Sequence, residues 1–421
     1  VSFPEETSVA IVGGGPAGAT LGAYLALAGI DHVIFERERF PRHHVGESLV
    51  GITNRVFHEI GFLGKLDAAG FVEKRAAVWI PKSGKGAYEL RILPDPRFGL
   101  DHTFHVDRAR FDQLLLEHAA SLGSRVEQET RVCDVLMEDG RACGVRVEQD
   151  GVEHSVRARY VVDASGRSTL LGSKLRLKER DPLFDQYAIY AYFEAFDRGP
   201  ASMRDHIHIH FLPTRRGWVW QIPVDAEVTS VGVVTERDDF RRDGRDPESY
   251  FLRHVESHPE LRRRIQPARR IGPFRTEGDY SYSMQRLTGP GFLLVGDAAR
   301  FVDPIFSSGV SVAVNSACFA AQALQEALSG DESEALKRYE ERLGAGIRVW
   351  YDFIKIYYKL QNLFTRYVRK PEYQAEIVRL LQGDVYHPEE ITVLDRLRED
   401  IRTIEKTPDH LLRSSLTDIP I

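Results

Sequence analysis

The sequence predicts an α/β fold: a parallel βαβ unit at the N-terminus, a mainly antiparallel second sheet, and a helical C-terminal segment. Three observations carry that prediction. A short β-branched run, residues 7–12, ends in glycines and opens into the small-residue stretch 17–28. Between residues 186 and 236 apolar and aromatic positions alternate in four separate runs, the period of strands. Beyond about Gly330 the chain becomes charged with helical periodicity.

Each element follows in order. Gly29-Ile30-Asp31 closes the first helix and residues 32–36 read as a second buried strand, so the first unit requires a right-handed crossover and a parallel sheet. Residues 106–122 are amphipathic, with Phe111, Leu114, Leu115, His118 and Leu122 near helical spacing. Residues 125–137, 142–149 and 154–158 alternate like an antiparallel meander that turns at Asp139-Gly140 and Asp150-Gly151. Residues 160–163 return to the parallel pattern. Residues 186–196, 205–212, 218–223 and 230–236 form the second sheet, and 292–295 is a further buried strand expected to lead through Gly296-Asp297-Ala298-Ala299 into a helix. The charged tail is a candidate lid or partner surface.

The bulk numbers exclude several classes. At 421 residues, 43% hydrophobic and 28% charged, the chain is an ordinary globular protein, and no apolar stretch is long enough to span a bilayer. The opening residues, Val1-Ser2-Phe3-Pro4-Glu5-Glu6, lack the basic and apolar regions of a secretory signal, which predicts a cytoplasmic protein. Cys133, Cys143 and Cys318 have no CxxC or metal-like spacing and are expected to be small core residues. A net charge of -6 gives no global attraction to nucleic acid. Arg262, Arg263, Arg264, Arg269 and Arg270 read as a solvated helix end and loop, with a docking patch for an acidic partner as the alternative.

Gly13-Gly14-Gly15-Pro16-Ala17-Gly18 fits G-x-G-x-x-G directly after a strand and at the opening of a helix. Gly13 permits the tight turn, Gly15 lets a pyrophosphate approach the backbone, and Gly18 lets the helix pack on the sheet. Pro16 and Ala17 open the helix, whose free N–H groups suit an anion. Glu36, ending the second strand, is placed to bind a ribose 2′-hydroxyl rather than a 2′-phosphate. Further on, Trp218, Trp220 and Ile222 share one strand face. His206, His208 and His210 also alternate, but with no partner set for a tetrahedral metal they are expected to form a polar sheet face lining the substrate cavity.

Val295-Gly296-Asp297-Ala298-Ala299 resembles the motif by which p-hydroxybenzoate hydroxylase-like flavoproteins hold FAD, with Asp297 as the ribityl contact. The segment opening at Val106-Asp107-Arg108 resembles another flavin-approaching segment of that class, with Arg108 as contact, and Val162-Asp163-Ala164-Ser165-Gly166 resembles its middle segment. The hydroxylases typically carry Asp-Gly there, so the variant argues against NADPH use. Gly217-Trp218-Val219-Trp220-Gln221-Ile222-Pro223 matches the W-x-W-x-I-P of flavin-dependent halogenases, and Asp303-Pro304-Ile305-Phe306-Ser307-Ser308-Gly309 resembles their segment beside the flavin. The fold implied is a Rossmann-like FAD-binding domain of the p-hydroxybenzoate hydroxylase type (1–75, 103–180 and 275–330), an antiparallel β-sheet substrate domain (76–102 and 181–274) and a helical C-terminal segment (331–421).

The resemblance implies roles residue by residue. Arg37, Ser48, Pro304 and Gly309 join the glycine motif, Glu36, Arg108 and Asp297 around FAD. Backbone N–H groups at Ser308 and Gly309 bind halide, while Trp218 and Trp220 wall the flavin from the organic substrate. Lys74, at the family's interval after Gly46-Glu47-Ser48, delivers the electrophilic halogen; Lys82 and Lys85 are nearby alternatives. Phe306 stands where tryptophan-type halogenases carry a glutamate, which implies an electron-rich ring, phenol or pyrrole. In the tail, Tyr357-Tyr358-Lys359-Leu360 and residues 380–386 resemble pyrrole halogenases acting on carrier-protein-tethered acyl groups. The implied reaction consumes FADH2 from a separate flavin reductase, O2, and chloride or bromide. The alternatives are an FAD-dependent aromatic hydroxylase, an isoprenoid reductase of the same fold, and a non-catalytic flavin-binding relative.

Overall fold

The computed structural model describes residues 3–95, 100–214, 216–278, 281–361 and 363–421; Val1 and Ser2 of the N-terminal reading lie outside them. The small residues after the first strand form the helix Pro16–Leu27, buried along most of its length. It connects Glu6–Val12 to its parallel neighbour His32–Phe35. The first sheet runs Thr288–Gly289, Phe292–Leu294, Val152–Asp163, Glu6–Val12, His32–Phe35, Arg125–Glu127. In register, Val12 pairs with Phe35 and with Asp163, and Asp163 pairs with Leu294. Four parallel strands therefore end in one row, the edge at which such sheets bind ligands.

Two expectations change here. Residues 125–137 are not one meander arm. Arg125–Glu127 joins the parallel edge beside His32–Phe35, the chain turns through Glu129 at φ 55°, and Arg131–Glu138 starts the meander with Arg141–Gln149. Val152–Asp163 is one long strand serving both the meander and the parallel core. The Phe292–Leu294 strand also does not run straight into a helix. Gly296 turns back at φ 57°, and two short 3-10 turns, Gly296–Ala298 and Pro304–Phe306, precede the helix Ser308–Ser329.

The second sheet has seven strands in the order Arg269–Glu277, Gln186–Glu194, Val228–Glu236, Trp218–Pro223, Ile207–Phe211, Ala76–Ile80, Tyr88–Arg91. All pair antiparallel except Ile207–Phe211 with Ala76–Ile80. One face, with Trp218, Trp220, Ile207 and Ile209, packs into the main core; the other, with Ile189, Val219 and Val231, packs on Tyr250, Phe251 and Leu261. Those last three belong to the helices Pro247–Ser257 and Pro259–Arg264. Both faces of this sheet are thus covered.

The tail is helical as expected but not peripheral: Trp350, Phe353, Tyr357 and Tyr358 of Glu332–Lys359 are fully buried in the main core. No helix among the described residues is long and apolar enough to cross a membrane. Only Cys318 is a core residue; Cys133 and Cys143 are half-buried on the meander. Arg264 is no solvated helix end either. It is buried and bonded to Glu260, Gln221 and His208.

Candidate active site

The glycine turn sits where the parallel strands end. Gly13 takes φ 106°, and a Cβ there would lie 2.6 Å from the Ala164 carbonyl oxygen, while one on Gly18 would collide with the Gly13 carbonyl. Only glycine fits either place. Gly14 N donates to Glu36 Oε2 at 2.7 Å and Glu38 N donates to Glu36 Oε1 at 2.9 Å, so Glu36 is buried against the turn with lone pairs remaining. The helix begins at Pro16 with no side-chain cap at Gly15, leaving its first N–H groups for an anion. Beside Gly15 lies Arg42, whose Nη1 is 3.2 Å from Asp112 yet makes no hydrogen bond. An uncapped helix, a close approach at Gly15 and the Arg42 guanidinium beside it together fit the pyrophosphate of FAD. Arg37 instead is exposed and faces Glu38 at 3.5 Å.

Further along the same edge, Asp107 caps the helix Arg108–Leu122. Arg108 is buried, donates to Asp112 at 2.8 and 3.0 Å and to the Val45 carbonyl at 2.6 Å, and faces Asp297 electrostatically. Burial pushes the Asp297 carboxyl up to about 6, against the pull of Arg167 and Arg108. A Cβ on Gly309 would lie 4.0 Å from Asp297 Oδ1, so Asp297, Gly309 and buried Ser308 converge. The helix from Ser308 has no side-chain cap, because its N-cap Ser307 is left-handed at φ 57°. Asp163, by contrast, accepts from Ser165 N and Leu171 N and is committed to holding its own turn.

Asp303 ties this turn to the tryptophan strand. Its Oδ1 accepts from Ile305 N at 2.9 Å, positioning Pro304–Phe306, and its Oδ2 accepts from Tyr358 at 3.0 Å. The Tyr358 hydroxyl in turn accepts from Trp218 Nε1 at 3.0 Å. Trp220 Nε1 donates to Ser230 Oγ, and the two indoles lie 6.1 Å apart. Burial raises the Asp303 carboxyl to about 7.

Lys74 is the second chemical centre. It ends the short strand Val72–Lys74 and is 7% exposed. Its Nζ donates to Ser48 Oγ at 2.9 Å and to the Leu49 carbonyl at 2.7 Å. Burial without a counter-charge pushes its amine down to about 7. It lines a mostly apolar cavity with Trp79, Ile207, Ile209 and Phe306, and with Leu381 and Gln382 of the tail. Lys82 and Lys85 are exposed. Ser48, expected against FAD, accepts from Lys74.

The histidines do not line this cavity. Alternation turns Ile207 and Ile209 inward, so His208 and His210 lie on the opposite face. There Arg264 meets His208 Nδ1 at 2.7 Å and Gln221 at 2.7 Å, and His208 Nε2 meets the Met203 carbonyl at 2.9 Å. Among the described residues no group of His, Cys, Asp and Glu could hold a metal.

The FAD binding domain family matches residues 6–348. Over 99% of this chain and 98% of its own length, the 1H-pyrrole-2-carbonyl-[peptidyl-carrier protein] chlorinase of Pseudomonas fluorescens is 43% identical. The chain belongs to the flavin-dependent halogenases. The 1H-pyrrole-2-carbonyl-[peptidyl-carrier protein] brominase of Pseudoalteromonas luteoviolacea is 32% identical over 90% of this halogenase and 92% of its own length. The solved flavin-dependent brominase Bmp2 superposes with a TM-score of 0.87 at 30% identity, covering 95% of this chain and 99% of that one. In this halogenase the contacts of three residues escaped the motifs, although Tyr358 and Gln382 stand within the tail segments likened to pyrrole halogenases. Arg42 is separated from the glycine turn by a whole strand, Tyr358 reaches Asp303 from a distant helix, and Gln382 clamps Leu93 with two backbone contacts, 2.9 and 3.2 Å. None of these contacts carries a local signal.

Proposed function

We propose that this halogenase chlorinates the pyrrole ring of a pyrrole-2-carbonyl group held as a thioester on a peptidyl carrier protein, with Lys74 as the delivering residue. The carrying observation is the buried, weakly basic Lys74 amine in an apolar cavity walled by Ile207, Ile209 and Phe306, in a chain 43% identical end to end to a chlorinase of that substrate. Phe306 stacks on Phe353 at 4.4 Å and leaves no carboxylate at its position, which suits an electron-rich ring.

Bound reduced flavin supplies, with O2, the oxidising equivalents that make halide electrophilic. The balance is FADH2 + O2 + Cl⁻ + H⁺ + Ar–H giving FAD, Ar–Cl and two waters. The chain's residues do the rest. Gly13, Gly15, Pro16, Ala17, Gly18 and Glu36, with Arg42, hold the nucleotide; Arg108, Asp297, Pro304 and Gly309 hold the ring end. The Ser308 and Gly309 N–H groups hold halide. Trp218 and Trp220, locked by Tyr358 and Ser230, separate flavin from substrate. Lys74 donates a hydrogen bond to hypohalous acid and orients it toward the ring. The flavin-binding part comprises 1–75, 103–180 and 275–330, the substrate part 76–102 and 181–274, and 331–421 closes the cavity. A separate flavin reductase supplies FADH2, and the protein works in the cytoplasm.

The test is purified protein with FAD, a flavin reductase, NADH and chloride or bromide, offered carrier-bound pyrrole-2-carboxylate, the free acid and simple phenols, with the halogen isotope pattern read by mass spectrometry. Halogenation of the carrier-bound ring alone is expected. Hydroxylated product only, or halide-independent NADPH consumption, overturns the reading in favour of a hydroxylase.

A further inference from the structure

His105 is completely buried, and neither of its ring nitrogens has a hydrogen-bond partner. It stands directly across from Val72 on one side and from Ser48 on the other, and residues opposite one another on paired strands share a face. Lys74, two residues beyond Val72, shares that face, and its amine reaches Ser48 Oγ. The imidazole and the amine thus flank the same serine. In the other direction the chain runs through Val106, whose N–H bonds the Glu47 carbonyl, to Arg108 beside Gly46 and facing Asp297. His105 therefore occupies the span between Lys74 and the residues assigned to the flavin's ring end.

Its surroundings define what it can bind. The nearest electrostatic neighbour of His105 is Lys74, ahead of His206, Arg198 and His208 from the far face of the seven-stranded sheet. Leaving both ring nitrogens of a buried imidazole unpartnered is costly unless a ligand completes them. A neutral imidazole offers one donor and one acceptor, the complement of a small molecule that carries one O–H and lone pairs.

We propose that His105 is a binding residue for hypohalous acid, holding it between the flavin's ring end and Lys74. No covalent step is assigned to His105: its acceptor nitrogen takes the O–H of the acid, and its donor nitrogen faces the acid's lone pairs. The proposal rests on the reading of Lys74 given above.

The test uses full-length holoenzyme and measures aryl halide formed per flavin reoxidised, while a soluble 1,3-diketone traps hypohalous acid that escapes. His105→Phe is expected to lower that ratio about tenfold and to raise trapped acid, with FAD affinity and flavin reoxidation unchanged. His105→Gln, which restores a donor and an acceptor, is expected to recover about half of the loss. A His105→Phe ratio equal to wild type overturns the proposal. So does an equal fall in both variants without escaped acid, which is the signature of packing alone. Should His105→Phe lose its flavin, His105→Asn decides: a fall of about threefold or more supports the proposal and any smaller change overturns it. If the wild-type protein forms no aryl halide, the functional reading fails rather than this one.

Discussion

Replacing Lys74 by methionine tests the chemistry and the physics of the site together. The wild-type amine is held at about 7 from an ordinary 10.5 because burial disfavours its charge. A lowered folded pKa means that between these values the unfolded chain binds the proton and the native protein does not. Stability therefore rises with pH across that window, and below it the native state bears the full cost of a buried ammonium. At ~1.4 kcal/mol per pH unit, wild type should gain about 3 kcal/mol relative to Lys74→Met between about pH 6.5 and 9.5. Lys74→Met has no such term, and its side chain has nearly the same length. Urea unfolding of both proteins at the two pH values measures the difference directly. A wild-type minus variant gap constant within about 0.5 kcal/mol would refute the claim that burial sets this amine. Halogenation by Lys74→Met should fall by roughly a thousandfold or more while flavin still reoxidises; retained halogenation would remove Lys74 from the mechanism.

Other perturbations separate the remaining parts of the site. Tyr358→Phe strands Trp218 Nε1 and Asp303 Oδ2 in the core, and should cost about 2–4 kcal/mol in denaturant unfolding; a loss under about 0.5 kcal/mol would show that the link is not formed. Arg42→Ala should weaken FAD binding by about tenfold, lowering affinity more at low than at high salt; unchanged affinity in a fluorescence titration would place the pyrophosphate elsewhere. Gly18→Ala forces a methyl onto the Gly13 carbonyl and should yield protein without flavin absorbance. Prolonged chelation should leave activity intact, because His208 is engaged by Arg264 and the Met203 carbonyl; recovery of activity only on adding zinc would reverse that conclusion.

How much was legible depended on how local each signal is. The glycine turn, Glu36 and the first two strand ends follow from a contiguous βαβ unit, and the structure departs there by only a residue or so. Alternation alone joins Arg125–Glu127 to the meander, because it looks the same in a parallel edge strand and an antiparallel arm. The sequence does not locate the helix start at Ser308, because small residues after a strand suit both a direct helix entry and two tight turns. Arg42, Tyr358 and Gln382 act through partners 70, 55 and 289 positions away, and no window of sequence contains both ends.

The histidine and tryptophan strands mark the division most clearly. By itself the sequence determined that His206, His208 and His210 alternate with isoleucines, that Trp218 and Trp220 share a face, and that a lysine follows Gly46-Glu47-Ser48 at a family interval. Which face of the strand meets the cavity was decided only in three dimensions. Both faces of the seven-stranded sheet are buried, one by the flavin-side core and one by the helices Pro247–Ser257 and Pro259–Arg264. When neither face is wet, polarity no longer says which way a strand points. Packing alone turned the isoleucines toward Lys74, sent His208 and His210 to Arg264 and Gln221, and left His105 bare beside the amine.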